Sequence, residues 1–233
     1  MSSLKLPGVV RVAGVLGGDD LPISELALWL RNADLVIAAD GGADRVLAAG
    51  AVPHHLVGDL DSASSAALRS SPHVIADKDP SRTDCDKMIA FAERLGVIRM
   101  TVFGLDGDLL DHMLASLYSL AASNITIRLV LRQQIGAFVK PHQPVEAATR
   151  NGDRVAMMPL GGEVTGVTLT GVEWPLHSDK LHPYGLVSVA NRAVSSTVNA
   201  QVDNGVALLL WQLDSSAEDR WRLLGEGPEV DLA

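Results

Sequence analysis

The chain of 233 residues is 47% hydrophobic and has a formal net charge of -9, with a pI near 5.1. This length suits one large domain or two small ones, and the composition excludes a disordered chain. The acidic balance lacks the broad basic footprint typical of nucleic-acid binders. We therefore do not expect nucleic acid as a partner.

Cysteine content and hydropathy bear on the compartment. Cys85 is the only cysteine, so no intrachain disulfide can form, and no Cys/His cluster has zinc-finger spacing. The start of the chain, Met1 to Leu6, lacks a basic stretch leading into an apolar one, and no run of about eighteen apolar residues follows anywhere. We expect no signal peptide, no membrane partner and a reducing, cytoplasmic setting.

The first half of the sequence alternates strand-like and helix-like segments. Strands are predicted at Val9–Val15, Leu35–Ala39, His55–Val57, His73–Ala76, Ile98–Phe103 and Ile125–Leu131. Helices are predicted between them, at a segment capped by Ser24 that ends before Asp34, and at Ala43–Ala49, Ser62–Arg69, Thr83–Leu95 and Leu109–Ala122. This alternation predicts an α/β domain over residues 1–132 with a doubly wound, mostly parallel sheet.

After Arg132 the pattern changes to short runs rich in Val and Thr, punctuated by Pro and Gly. It predicts an all-β sandwich domain over residues 133–213. Candidate strands are Val155–Met158, Val167–Leu169, Leu186–Val189, Val194–Val198 and Ala207–Leu213. We predict that residues 214–233, which are polar and acidic apart from Trp221, Leu223 and Leu224, are either a C-terminal extension packed by that apolar cluster or a mobile end.

Two carboxylates two residues apart, Asp59 and Asp61, directly follow the third predicted strand. Carboxylate oxygens suit Mg²⁺, which usually bridges one or two of them to substrate phosphates. The pair therefore indicates phosphate chemistry. An isolated Asp-x-Asp also occurs in solvated loops, because turns favour Asp. The residues around the motif are therefore needed to distinguish a metal site from an ordinary loop.

Other polar residues fall just beyond predicted strands as well. These are Asp40, the segment Asp79–Asp84 and the segment Gly104–Asp111. The carboxyl edge of an open α/β sheet is where ligands bind, so these residues can converge with Asp59 and Asp61. Nearby glycines would let the backbone approach a nucleotide, and the helix start at Thr83 offers N–H groups to phosphate. Thr83 with Asp86 resembles a capping box.

Several single residues have ordinary structural interpretations. Asp111 and His112 can be an exposed helical pair, and Cys85 can be a packed thiol. Trp174 can belong to the core, although a lone aromatic between Gly and Pro can also offer a stacking face to a cationic heterocycle.

Five motifs together resemble thiamine pyrophosphokinases. They are Asp40-Gly41-Gly42-Ala43-Asp44-Arg45, Gly58-Asp59-Leu60-Asp61-Ser62, Thr83-Asp84, Gly104-x-x-Gly107 leading to Asp111-His112, and Gly171-Val172-Glu173-Trp174-Pro175-Leu176. The resemblance covers Asp40 to about Leu213. It implies a thiamine diphosphokinase, in which the thiamine hydroxyl attacks the β-phosphorus of ATP and AMP leaves. It also implies a homodimer with active sites where the subunits meet.

The resemblance also implies roles for individual residues. Mg²⁺ would be held by Asp59, Asp61 and Asp84, with Asp79 as a weaker candidate, and Asp111 would orient the reacting groups. The site of the co-substrate ATP would be shaped by Asp40, Gly41, Gly42, Thr83, Gly104, Gly107 and His112. The thiamine site would be lined by Trp174, Ser188 and Asn191 of the partner subunit.

Three positions depart from the family pattern. Leu109 stands where relatives carry an arginine that would clamp phosphate. Ser81 replaces an acidic residue, with Arg82 beside it as a possible source of positive charge, and Ala190 precedes Asn191 where serine is usual. These departures bear on acceptor and activity more than on the fold.

Two other classes of function stay open at this point. One is a metal-dependent phosphatase or nucleotide-sugar transferase using Asp59 and Asp61, although haloacid dehalogenase phosphatases place that motif after the first strand. The other is a divergent member that acts on another acceptor, or a non-catalytic sensor of thiamine or nucleotide.

Overall fold

The computed structural model describes residues 11–19 and 21–212, and they fall into two units that divide between Arg132 and Gln133. Unit 1 contains six strands and five helices within the described residues. The strands are β1 Val12–Val15, β2 Leu35–Ala39, β3 His55–Gly58, β4 His73–Ala76, β5 Arg99–Phe103 and β6 Thr126–Val130. The helices are α1 Ile23–Leu30, α2 Gly42–Ala48, α3 Ser65–Ser70, α4 Asp84–Arg94 and α5 Leu110–Ala122.

The strands of unit 1 form a parallel sheet in the order β4-β3-β2-β1-β5-β6. The chain moves outward from β1 to β4 and then returns to β5, on the other side of β1. Because crossovers between parallel strands are right-handed, α1, α2 and α3 lie on one face and α4 and α5 on the other. The predicted α/β class and doubly wound sheet are present, and the strand order reverses between β1 and β5.

The core of unit 1 follows from this layering. Trp29 of α1 is fully buried and its ring lies 5.5 Å from that of Phe103 in β5. On the other face, Met88 of α4 is also fully buried.

The prediction that Ser24 caps the first helix is wrong, because Pro22 holds the N-cap position and no side chain caps it. The capping box predicted at the start of α4 is confirmed, because the Thr83 side chain accepts the Asp86 N–H and the Asp86 side chain accepts the Thr83 N–H.

Unit 2 is all-β within its described residues. Its strands are β7 Gln134–Val139, β8 Val145–Ala148, β9 Arg154–Thr170, β10 Leu176–Leu181, β11 Ser188–Arg192, β12 Thr197–Gln201 and β13 Asn204–Gln212. They pair antiparallel, with β9 as the common partner of β10, β11, β12 and β13. β7 pairs with β13 and β8 with β12.

The two strands predicted at 155–158 and 167–169 are in fact one, β9, which the proline and glycines between them do not end. Gly161 and Gly166 have positive φ angles of 74° and 64°, so the strand bends there and changes partners. β7, β8 and β10 were missed by the prediction. The strand predicted at 186–189 begins and ends later, as does the one at 194–198. The predicted extension lies outside the described residues.

No helix in the described ranges, 11–19 and 21–212, is long and apolar enough to cross a membrane.

Candidate active site

The loop after β3 presents the two carboxylates of the Asp-x-Asp motif. Leu60 adopts a left-handed conformation, with φ 70°, between Asp59 and Asp61. The carboxylate of Asp59 accepts a hydrogen bond from the Asp61 N–H at 3.4 Å, and Ser62 Oγ donates to Asp61 at 2.9 Å. The turn therefore keeps both carboxylates at the carboxyl edge of the sheet.

Asp40 ties this loop to the neighbouring strand. It follows β2 and is 2% exposed, and its two carboxylate oxygens accept the N–H groups of Ser62 at 3.1 Å and Ala63 at 2.7 Å. Burial raises the pKa of Asp40, although these two hydrogen bonds act in the opposite direction. Asp40 thus fixes the position of the Asp-x-Asp loop.

The three carboxylates form a group that fits a divalent cation. Asp40, Asp59 and Asp61 each offer an oxygen within 4.8 Å of the others. Hard oxygen donors on a partly exposed edge are the ligands that Mg²⁺ prefers, and they leave room for water and phosphate. The residues present therefore fit the magnesium predicted from the sequence. The group includes Asp40, which the resemblance placed in the nucleotide site, and does not include Asp84, which stays a predicted ligand.

Lys87 is a part of this site that the sequence analysis missed. Its side chain is 1% exposed, and Nζ donates to Asp84 Oδ1 at 2.9 Å and to Asp59 Oδ2 at 3.2 Å. Asp84 Oδ1 also accepts the Asp59 N–H at 3.3 Å. The available signal was a lysine one turn after Asp84, on the face of α4 that also carries Met88 and other buried residues.

The charges of this cluster stabilise one another. Burial opposes ionisation of Asp59, but the hydrogen bond from Lys87 and that from the Asp61 N–H outweigh it and lower the pKa of the carboxyl. Burial likewise opposes the charge on Lys87, and the bonds to Asp84 and Asp59 outweigh it and raise the pKa of the ammonium. Both side chains therefore stay charged at neutral pH.

Two other predicted residues have local partners. Thr83 Oγ1 accepts the Asp86 N–H at 3.1 Å and so caps α4. Asp79 lies outside the three-carboxylate group and accepts the Ser81 hydroxyl at 2.6 Å and its N–H at 3.0 Å. Arg82 donates to Asp77 at 3.4 Å. The metal role of Asp79 stays a prediction that this geometry does not strengthen.

Backbone crowding explains two of the predicted glycines. A Cβ at Gly42 would lie 2.1 Å from the Val15 carbonyl oxygen. Gly104 has a φ of 78°, and a Cβ there would lie 2.2 Å from the Leu16 oxygen. Gly41 is different, because its φ is -55° and a Cβ would make only ordinary contact with Ser62. Within the protein itself, Gly42 and Gly104 are needed for close packing of the loops after β1, β2 and β5.

The segment after β5 leads into α5. Gly107 packs on the backbone of Asp19 with a φ of 89°. Asp111 and His112 lie exposed in the first turn of α5, and His112 Nδ1 is 3.5 Å from an Asp108 carboxylate oxygen. Neither belongs to the three-carboxylate group. Leu109, the residue before α5, is 65% exposed.

In unit 2 the structure brings Trp174, Ser188 and Asn191 together. Asn191 is 2% exposed, accepts the Trp174 N–H at 3.2 Å and donates to the Trp174 carbonyl at 2.8 Å. It also donates to Ser188 Oγ at 3.3 Å. Trp174 itself is 57% exposed, so a buried amide holds the backbone of an exposed aromatic. Ala190, the departure noted in the sequence, has a left-handed φ of 57°.

Unit 1 is a parallel sheet with a cluster of carboxylates at its carboxyl edge, and unit 2 is all-β with an exposed tryptophan, so the chain is of the α/β class with a group of acidic residues that suits a divalent cation. Residues 26–131 match the family model of the thiamin pyrophosphokinase catalytic domain, and residues 142–207 match that of the thiamin pyrophosphokinase vitamin B1 binding domain. The chain belongs to the thiamine pyrophosphokinase family.

Individual relatives agree with this assignment. The thiamine pyrophosphokinase of Bacillus subtilis (strain 168) is 26% identical over 210 residues, which cover 86% of this chain and 97% of the relative. A crystal structure of that enzyme from Bacillus subtilis superposes with a TM-score of 0.72 at 24% identity, covering 88% of this chain and 99% of the other. Thiamin pyrophosphokinase from Candida albicans gives 0.73 at 15% identity, covering 88% and 90%. At these identities the structures show the fold alone.

The family is one of enzymes that use ATP as co-substrate, and membership identifies the chain as a thiamine diphosphokinase. None of these matches favours the alternatives, namely a phosphatase, a nucleotide-sugar transferase, another acceptor or a non-catalytic sensor.

Proposed function

We propose that the protein catalyses one-step transfer of a pyrophosphoryl group from ATP to thiamine at the acidic edge of unit 1. The thiamine hydroxyl oxygen forms a bond to the β-phosphorus and gives up its proton to solvent. The bond from that phosphorus to the α–β bridging oxygen breaks, and AMP leaves with that oxygen. The observation that carries this proposal is the group of Asp40, Asp59 and Asp61 beside Lys87, at the edge where α/β sheets bind ligands.

Asp59 and Asp61 would hold Mg²⁺ directly or through water, with Asp84 next to them. The ion would neutralise phosphate charge as the β-phosphorus is attacked. Asp40 is placed to contribute an oxygen as well, although its hydrogen bonds to Ser62 and Ala63 also position the loop. Asp79 remains the weaker candidate.

Lys87 would keep Asp59 and Asp84 in place before substrates arrive. Without a cation between them, the two carboxylates would repel each other at short range. The bonds of 3.2 and 2.9 Å from Nζ support this role. A preset arrangement of ligands lowers the reorganisation needed when the reactants are aligned.

The nucleotide would lie over the loops that Gly41, Gly42, Gly104 and Gly107 form. Gly41 supports this placement because nothing in the described residues requires a glycine there. The first turn of α4 after Thr83 offers backbone N–H groups to phosphate. Asp111 would orient the reacting groups, and His112 would contact the nucleotide.

Thiamine would bind in unit 2, which we propose to be a β-sandwich domain. The exposed face of Trp174 suits the cationic thiazolium ring. Asn191 and Ser188 would hold the Trp174 segment and line the same site.

We further propose a cytoplasmic homodimer with active sites where subunits meet. The family resemblance supports the dimer, and the free thiol of Cys85 agrees with a reducing compartment. Sedimentation equilibrium of the purified protein tests the dimer, and a monomer at micromolar concentration would contradict it.

The activity is tested by incubating the purified protein with thiamine, ATP and Mg²⁺ and following AMP and thiamine diphosphate by chromatography. We expect equal amounts of both products and none without thiamine or metal. AMP without thiamine diphosphate would indicate hydrolysis or another acceptor. Thiamine-dependent stabilisation without any product would indicate a sensor.

A further inference from the structure

The strand order of the unit 1 sheet reverses between β1 and β5. The loops after these strands are joined by bonds from the Leu16 N–H to the Phe103 oxygen at 2.8 Å and from the Gly18 N–H to the Gly104 oxygen at 2.9 Å. Ligands of open α/β sheets bind at such a switch point. We propose that Arg132 binds the phosphate groups of the nucleotide there, an inference that rests on the proposed function.

Arg132 is placed for this role by its position in the fold. It comes two residues after β6, the neighbour of β5, and its guanidinium donates to the backbone carbonyl of Asp19 at 3.0 Å. Asp19 belongs to the loop after β1, on the far side of β5. The side chain therefore crosses the carboxyl end of β5 and lies beside the switch point.

Arg132 forms no ion pair with a carboxylate of the described residues. Its bond to Asp19 goes to a neutral carbonyl, and across residues 11–19 and 21–212 no carboxylate oxygen lies within 4.0 Å of its guanidinium. The carboxylate of Asp19 is instead bound by Arg45 at 2.6 Å. The pKa of Asp19 is lowered mainly by the hydrogen bond from Arg45, and the charge of Arg132 adds a smaller effect at longer range. A guanidinium has five N–H donors in a planar fork that matches phosphate oxygens. One of these donors anchors the side chain and the others remain for a ligand.

The other cations of this edge differ from Arg132. Arg45, Arg82 and Lys87 each contact a carboxylate, at 2.6, 3.4 and 2.9 Å respectively. Lys78 follows β4, the outermost strand, three strands away from β1. An edge with many aspartates repels phosphate, so a cation with spare donors at the switch point is what a nucleotide requires.

The test is binding of a non-hydrolysable ATP analogue and of adenosine to the full-length protein, measured by isothermal titration calorimetry with Mg²⁺. We expect Arg132→Ala to weaken analogue binding about 10- to 100-fold, the size of a lost charge-assisted hydrogen bond, and to leave adenosine binding unchanged. Arg132→Lys should be intermediate, because lysine keeps the charge but not the fork. Arg99→Ala, at the opposite end of β5, is the matched control and should match the unmodified protein.

Unchanged analogue binding by Arg132→Ala would overturn the proposal. So would an equal loss for analogue and adenosine, because that pattern reports a structural role. An assay of thiamine diphosphate formation distinguishes failure of the phosphate role of Arg132 from failure of the proposed function. If the unmodified protein makes thiamine diphosphate but Arg132→Ala binds the analogue normally, only the phosphate role fails. If no product forms yet Arg132→Ala loses the analogue selectively, the phosphate site stands and the proposed function fails.

Discussion

The acidic edge of unit 1 and the Trp174 cluster of unit 2, which consists of Trp174, Ser188 and Asn191, differ in the kind of side chain that is buried and in the kind that is exposed to a ligand. At the acidic edge the buried groups are the ionisable side chains of Asp40 and Lys87, and they hold the more exposed Asp59 and Asp61 in place. In unit 2 the buried group is the neutral amide of Asn191, and it holds an exposed aromatic. The first arrangement concentrates charge for a small cation, and the second fixes a flat apolar face.

The largest effect is expected at the acidic edge. Asp59→Asn keeps the size of the side chain but removes a negative charge from the proposed metal site, so turnover should fall at least about a thousandfold, equivalent to about 4 kcal/mol. Steady-state assays of thiamine diphosphate formation measure this. The fold should persist by circular dichroism, and near-normal turnover would remove the metal-site hypothesis.

A second substitution tests whether Lys87 holds the proposed metal ligands in place. Lys87→Met should lower turnover about a hundredfold, because the carboxylates of Asp59 and Asp84 then repel each other and lose their preset geometry. The Mg²⁺ concentration giving half-maximal rate should rise. Lys180→Met is the control, since Lys180 is exposed and pairs only at the surface of unit 2. An unchanged Mg²⁺ dependence would show that Lys87 has no part in the metal site.

In unit 2 the effect should fall on one substrate. Trp174→Ala should raise the KM for thiamine about tenfold, the loss of a desolvated cation–π contact, and leave the KM for ATP unchanged. Tyr184→Ala provides the comparison, because Tyr184 is a 95% exposed aromatic of the same unit outside the cluster. An equal KM for thiamine in Trp174→Ala and Tyr184→Ala would contradict the proposal that Trp174 binds thiamine.

The smallest effect is expected from the helix cap. Thr83→Ala removes the hydroxyl that accepts the Asp86 N–H, which should cost about 1 kcal/mol of unfolding free energy. For a chain of this size the melting temperature should fall by about 2 to 4 °C. Thr83→Ser should restore it. A loss of activity far beyond this change in stability would support the proposed phosphate contact at the start of α4.

The layout of unit 1 could be predicted because its sequence follows simple periods. Buried parallel strands such as Leu35–Ala39 are continuous apolar runs, and helices such as α4 carry capping and amphipathic signals. The carboxylates were found because each follows such a strand. Lys87 was missed because a lysine in an amphipathic helix is ordinarily solvated, and only the fold brings Asp59 to it.

Unit 2 was harder to predict for a physical reason. β7 is buried along nearly its whole length and so shows no alternation, and β9 continues through Pro159 and three glycines because it bends between two sets of partners. Trp174 and Asn191 lie seventeen positions apart and meet through hydrogen bonds between the Asn191 side-chain amide and the Trp174 backbone. Their grouping could be anticipated from the family resemblance and not from the periodicity.

The carboxylates beside Lys87 are proposed to form a divalent metal site. Titration of Mn²⁺ as a substitute for Mg²⁺, with free ion measured by electron paramagnetic resonance in the presence of a non-hydrolysable ATP analogue, tests this without relying on turnover. We predict saturable binding by the unmodified protein, loss of that binding in Asp59→Asn and weaker binding in Lys87→Met. Equal Mn²⁺ binding by the unmodified protein and Asp59→Asn would contradict the account.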